Sequence, residues 1–362
     1  MAVNQFQTQQ HQNLQIHRLP QSKFIDAVRW LPPFAAFDKF IVLSLFDPTS
    51  SSSTIELHSL DFPDSANPNP ILSPLSTFSS PSLSRTSFLK TSQSLIAFST
   101  FSGSLDFLSP NYSSPDEVSL DSLPSLQEKG FHVGPISCID VLERDCVSVG
   151  EDGRVNLVGF GDGKASYRRV FDSDGLVSYS AVKWASPMEF ATGGLGCSLQ
   201  WWDQRRKPGE PALQFKGKWS QKTASGVVHS IDIHPSRKHT CMAGGSSGTV
   251  FGWDLRWPQQ PIVLSGVGIG ERPSNPISES EVWEVQFDCH LQSSNITSMS
   301  SSMMPVMMCS EEGILAVLEP GAEPFELLEE PCAINSFDIN KQNYSDVICS
   351  LEWESLAILS RS

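Results

Sequence analysis

Positive charge is scarce in this chain of 362 residues: 25 Lys and Arg stand against 40 Asp and Glu, a formal net charge of -15. That field opposes direct contact with nucleic-acid phosphates or anionic lipid, so a basic protein is the more natural partner. Metal-site spacing is missing too. The eight cysteines (Cys138, Cys146, Cys197, Cys241, Cys289, Cys309, Cys332 and Cys349) include no C-x-x-C and form no His/Cys cluster. Neither a zinc site nor a disulfide framework is signalled, and the pattern suits reduced, mostly buried thiols. No apolar run reaches the roughly 18 residues of a membrane-spanning helix. The Gln-rich start "MAVNQFQTQQHQNLQ" has no signal-peptide core; a soluble intracellular protein without membrane insertion is expected.

Helical periodicity is also scarce. What remains, within a composition that is 39% hydrophobic, is short alternating apolar stretches punctuated by Gly, Ser, Pro and Asn, the pattern of an all-β chain. In "SSGTVFGWDLR" a turn at Gly248 precedes Val250 and the pair Trp253-Asp254; "CSLQWWDQR" repeats it with Leu199 and Trp202-Asp203. Weaker copies are "TIELHSLD", "SGSLDFL", "EDGRVNLV", "EEGILAVLE" and "ESLAIL". The position of the second Trp is then held by His58, Leu108, Val158, Trp202, Trp253, Leu318 and Leu359, at intervals of 50, 50, 44, 51, 65 and 41 residues. Opening strands such as "DAVRWLP", "SAVKWASP" and "EVWEVQFD" precede the copies. Such spacing predicts one seven-bladed WD-repeat β-propeller over 1–362. The last unit ends after its third strand, so an N-terminal strand at about 13–20 ("NLQIHRLP") is expected to complete it and remove the open sheet edge. Ser/Pro-rich segments at about 62–84, 109–125 and 290–305 read as loops.

Catalytic patterns are absent. "GFGDGK" at 159–164 lacks the spacing and the Lys-Ser/Thr ending of a phosphate loop and reads as a strand-connecting turn. The eight histidines form no local motif with a carboxylate and a nucleophile. His132, four residues before Ile136, and Asp152, before Gly153, instead have the placement by which WD repeats tie a loop histidine to a turn aspartate. No enzyme activity, cofactor or metal is expected. In a strand, neighbours point to opposite faces, so Trp201 and Trp202 are expected to pack between blades on either side. Only Asp203 to Lys207, with Arg205 and Arg206, remains available to a partner; Arg256 follows Trp253-Asp254 in the same way. The run "EEGILAVLEPGAEPFELLEEP", including Glu326, Glu329 and Glu330, is either a solvated face or a docking surface for a basic patch. Loops near 257–276 are further candidates.

From about Gly130 onward, "VSVGEDGRVNL", "CSLQWWDQR", "IHPSRKHTCMAGG", "GTVFGWDLR", "EVWEVQFD", "MCSEEG" and "VICSLEWESLAILSR" resemble the forty-three-kilodalton WD-repeat nucleoporin family of the Y-shaped nuclear pore scaffold, in a plant-like version. Glu319 stands where that pattern has Asp beside Leu318, and long Ser-rich inserts occupy the first two units. The resemblance implies a non-enzymatic subunit at the nuclear envelope. It would attach to α-solenoid nucleoporins and a neighbouring propeller, contributing to pore assembly, protein transport and mRNA export. A second resemblance, of the two W-D-x-R boxes to those of substrate receptors of cullin-RING ubiquitin ligases, implies a ligase adaptor as partner through Arg205 and Arg256.

Overall fold

Each repeat closes on itself as one antiparallel four-stranded sheet. A computed structural model describes residues 14–62, 69–114, 117–161, 163–196, 198–216, 226–256, 262–265, 277–290, 304–319, 322–352 and 355–361. Among these, 28 strands form seven sheets and no α-helix is present. Blades 1 to 6 span 24–79, 86–126, 136–172, 179–216, 228–265 and 282–329. Blade 7 is made of 334–361 and the strand Leu14–Pro20, which pairs with Ser355–Arg361 from Leu14 opposite Arg361 to Pro20 opposite Ser355. The chain is thus a seven-bladed propeller whose last blade is completed by its N-terminal strand.

The repeat frame is visible in the register. His58, Leu108, Val158, Trp202, Trp253, Leu318 and Leu359 all lie on the third strand of a blade, opposite Ile41, Ile96, Cys146, Phe190, Cys241, Val306 and Val347 at the start of the second. All seven side chains are buried. Every innermost strand carries a register shift against its neighbour near its start, as between Ile25 and Ala27 or Val228 and Ser230. A bulge of this kind sharpens the strand's twist, which a closed ring of sheets requires.

Apolar residues gather into seven clusters, and each cluster fills the space between two successive blades. Trp201 packs with Ile231, Phe251 and Trp253 towards blade 5. Trp202 packs with Val147, Val149 and Phe190 towards blade 3. Its ring lies stacked on Phe190, centroids 6.0 Å apart, and its Nε1–H donates to Thr192 Oγ1 at 2.9 Å, so the indole's polar atom is satisfied in the core.

Two segments read as loops are largely strand. Ile71–Ser79 is the outermost strand of blade 1, and Leu105–Ser114 with Glu117–Leu126 forms an extended hairpin in blade 2. An outermost strand needs only one bonded edge and half-buried side chains, so Ser-rich alternation suffices and prolines such as Pro74 and Pro124 are tolerated. Pro110 lies past Leu108, where the second strand of the blade no longer pairs. Most of 290–305 lies outside the described residues. In blade 4 the turn carries its positive φ at Gly196 (77°); Cys197, given that place by the repeat frame, lies outside the described residues.

Candidate partner-binding surfaces

One face of the ring carries the turns joining first to second and third to fourth strands; the opposite face carries the second-to-third turns and the interblade loops. The two W-D-x-R boxes leave their blades on the first of these. Asp203 Oδ1 accepts from Arg205 Nε and Oδ2 from Arg205 Nη2, both at 2.8 Å, and Oδ1 also accepts the Arg205 backbone N–H at 3.0 Å. Asp254 and Arg256 repeat the clamp in blade 5, with Nε to Oδ1 at 2.9 Å and the backbone N–H at 3.0 Å. The hydrogen bonds from each arginine hold its aspartate down at about 2. The arginine side chains stay 64% and 66% exposed, so the boxes present two pre-oriented cations on adjacent blades, Arg205 also reaching Glu189 Oε1 at 3.3 Å. Arg206 is exposed and donates to the Ala212 carbonyl at 3.4 Å.

The acidic candidates divide. Glu326 and Glu329 are exposed on the outermost strand of blade 6, Phe325–Glu329. Glu330 is instead 11% exposed and accepts from Arg18 Nε of the N-terminal strand at 2.7 Å, joining blades 6 and 7. Residues 257–261 and 266–276 lie outside the described residues.

His132 and Asp152 meet under the loop between blades 2 and 3. His132 Nδ1 is 3.1 Å from Asp152 Oδ1 and its Nε2 is 3.0 Å from Ser148 Oγ, while Asp152 Oδ2 accepts the Val133 N–H at 2.8 Å. Burial works against the Asp152 charge, but the hydrogen bonds from His132 and Val133 outweigh it and keep its pKa below the usual range. Blade 3 thus carries a Ser148–His132–Asp152 chain of hydrogen bonds with Val158 on its third strand, and blade 4 a Trp202–Thr192 bond. Position by position the arrangement ties turns to sheets.

The middle of the ring holds a charged circle. Each first strand carries a polar side chain at the same place after its register shift, Arg29, Lys90, Asp140, Lys183, Asp232, Gln286 and Asp338 in blade order, and blade 6 adds the buried Glu284. Asp140, Asp232 and Asp338 each accept, at 2.8 Å, a backbone N–H of the next blade, from Trp184, Phe287 and Trp30. Lys183 pairs with Asp232 at 3.2 Å, and Arg29 Nη2 donates to Glu284 Oε1 at 2.9 Å. Burial, with Arg29 nearby, lowers the Lys90 pKa, and burial raises that of Asp338. These groups are used up in binding blade to blade. Among the described residues no three of His, Cys, Asp and Glu are grouped to hold a metal ion.

Two features escaped sequence reading. The charged circle is written as one polar residue inside each opening strand, as in "AVRWL", "CIDVL" and "AVKWA". On the face opposite the W-D-x-R boxes, large apolar residues stand exposed beside turn glycines: Phe101 in "FSG", Val133 in "HVG", Leu176 in "DGL".

No family model matches the chain. It is 53% identical to the nuclear pore complex protein NUP43 of Arabidopsis thaliana over 363 residues, covering 96% of this chain and 98% of that one. Nucleoporin Nup43 of Homo sapiens is 28% identical over 195 residues, 51% of this chain and 44% of that one. Among solved structures, a chain of the COPII outer coat vertex on membranes superposes with a TM-score of 0.71 over 95% of this chain and 85% of that one, at 14% identity, a likeness of fold alone. With more than half its residues shared along nearly the whole length of the plant protein, the chain belongs to the Nup43 family of nuclear pore complex proteins.

Proposed function

We propose that this nuclear pore subunit is a non-enzymatic scaffold component of the Y-shaped complex. In this reading it attaches to α-solenoid nucleoporins and a neighbouring propeller and so contributes to pore assembly, protein transport and mRNA export. The family relation along nearly the full length carries the proposal. Two physical features support it. The inward polar groups are consumed in joining blades, leaving turns and loops on two faces as the functional surface. A charge of -15 disfavours direct contact with RNA cargo. The test is affinity purification of the full chain from cells. Near-stoichiometric recovery of other Y-complex nucleoporins is expected; recovery of a ligase adaptor without nucleoporins overturns the proposal.

The matched Asp203–Arg205 and Asp254–Arg256 clamps favour a second role, as a docking point for the adaptor of a cullin-RING ligase. Exposed guanidiniums held by their own carboxylates lose little conformational freedom on binding. Arg205→Ala combined with Arg256→Ala should abolish adaptor recovery with the fold intact, and unchanged recovery removes the boxes from this role.

A further inference from the structure

We propose that the face opposite the W-D-x-R boxes carries a docking surface for a basic amphipathic helix of a partner protein, formed by Leu83, Phe101, Val133 and Leu176 across blades 1 to 4. These side chains are 80%, 53%, 65% and 89% exposed. They lie in the loop between blades 1 and 2, the second-to-third turn of blade 2, the loop between blades 2 and 3, and the loop between blades 3 and 4.

The loops and turns that carry the four positions are linked one to the next along this face. Ser82 and Ser102 hydroxyls are 3.4 Å apart, and the Phe101 N–H donates to the Arg85 carbonyl at 3.2 Å, which joins the first two. Gly103 lies so close to the next loop that a Cβ on it would stand 2.6 Å from the Gly134 carbonyl oxygen. Val133 is tied through Asp152 to the turn at Gly153, whose carbonyl accepts the Ser173 N–H at 3.2 Å. Ser173 in turn holds the Leu176 loop through its carbonyl to Leu176 N–H at 3.0 Å and its hydroxyl to Val177 at 3.1 Å. Hydrogen bonds from their backbone N–H groups thus fix the positions at which Phe101, Val133 and Leu176 are presented. A partner would bury them without first ordering the loops.

Charge selects the partner. Glu128, Glu151 and Asp174 are exposed in the same loops and turns and enter no ion pair among the described residues. Of the cations nearby, Arg85 is paired with Asp26 and Arg154 with Asp172 at 3.1 Å, while Lys129 is exposed beside Glu128. An apolar arc rimmed by acids suits an element with Leu, Ile or Phe along one side and Lys or Arg beside it. The surface consists of turns rather than strand edges, so side chains, not an added strand, make the contact; a helix supplies them at spacings of three and four residues.

The proposal rests on the reading of the chain as a scaffold subunit, and its test separates the two. Photo-cross-linking p-benzoylphenylalanine is placed at 101, 133 or 176 of the full chain in cells, with position 188 on the opposite face as control, and cross-linked peptides are sequenced. The expected result is one partner segment with apolar residues three and four apart and flanking Lys or Arg, cross-linked from all three positions and not from 188. Phe101→Asp with Leu176→Asp should then reduce recovery of that partner at least tenfold while the melting temperature stays within about 1 °C, since surface changes of this kind barely affect stability. Cross-links to an acidic or extended segment, to nucleic acid, to a second copy of this chain, or to nothing, overturn the proposal. If Y-complex nucleoporins are still recovered in that case, the scaffold reading stands and the arc alone fails.

Discussion

Removing the Arg29 guanidinium should loosen four blades at once. Its side chain, 4% exposed, donates to Leu89 O at 3.1 Å, Val28 O at 2.8 Å, Phe337 O at 3.1 Å and Glu284 Oε1 at 2.9 Å, so it touches blades 1, 2, 6 and 7. Arg29→Met keeps the aliphatic length but strips these bonds and leaves Glu284, 7% exposed, with Lys90 at 3.7 Å as its nearest cation. Breaking a buried pair from one side costs about 3–5 kcal/mol, most of it the uncompensated charge left behind. At about 2.1 cal/mol/K per residue, the unfolding entropy of 362 residues is roughly 0.76 kcal/mol/K, so a loss of about 4 kcal/mol lowers Tm by about 5 °C. Adding Glu284→Gln removes the stranded charge and keeps an acceptor for the Phe337 N–H, which Glu284 Oε2 holds at 3.3 Å; the double variant should be more stable than Arg29→Met. Thermal and urea unfolding at pH 7, followed by circular dichroism, measure both. A single variant melting within about 1 °C of the parent, or a double variant showing the sum of the two single losses, would refute the claim that the buried Arg29–Glu284 pair holds these blades together.

Three further outcomes are expected. Gly153→Ala should destabilise by at least the 1–3 kcal/mol of a strained backbone residue, because φ is +74° and the new Cβ would stand 1.8 Å from Ser173 Oγ and 2.3 Å from the Val177 carbonyl oxygen; urea midpoints check this. Burial pushes the Cys138 and Cys241 thiols up to about 12 and those of Cys146, Cys309 and Cys349 well above the ordinary value. Burial raises the Cys289 thiol too, but among the described cysteines it is the half-buried one, so at pH 8 the folded chain should be alkylated there long before these five, as read by peptide mass spectrometry. Asp203 and Asp254 have pKa values depressed from 3.8 to about 2, so whatever the clamps contribute is fully present above pH 3.8 and lost as pH falls through about 2. Carbon-detected NMR titration should return Asp203 towards 3.8 in Arg205→Ala, and an unchanged midpoint would mean that the guanidinium does not set it.

The fold was legible because its two signals are local. Period-two alternation recurs in every blade, and a turn glycine five residues before the third-strand position recurs in blades 2, 3, 5 and 6, even where the Trp is replaced by Leu108, Val158 or Leu318; register then follows from the turns. Outer strands such as Ile71–Ser79 were hidden for the opposite reason: with one free edge and half-exposed side chains they demand little of the sequence, and Ser-Pro composition hides them among loops. The W-D-x-R clamps could be anticipated as exposed but not as self-paired, since the bidentate geometry depends on how the chain turns after Trp202 and Trp253. The apolar arc is a spatial object with no linear pattern. Phe101, Val133 and Leu176 are separated by 32 and 43 residues and come to one face only when blades 2, 3 and 4 stand side by side. A single exposed Leu or Val in a turn is ordinary. Several of them anchored by backbone N–H groups along one rim, with acids between that form no ion pair among the described residues, make a surface whose chemistry can be stated, and in a propeller that step from residue to surface is made by blade order.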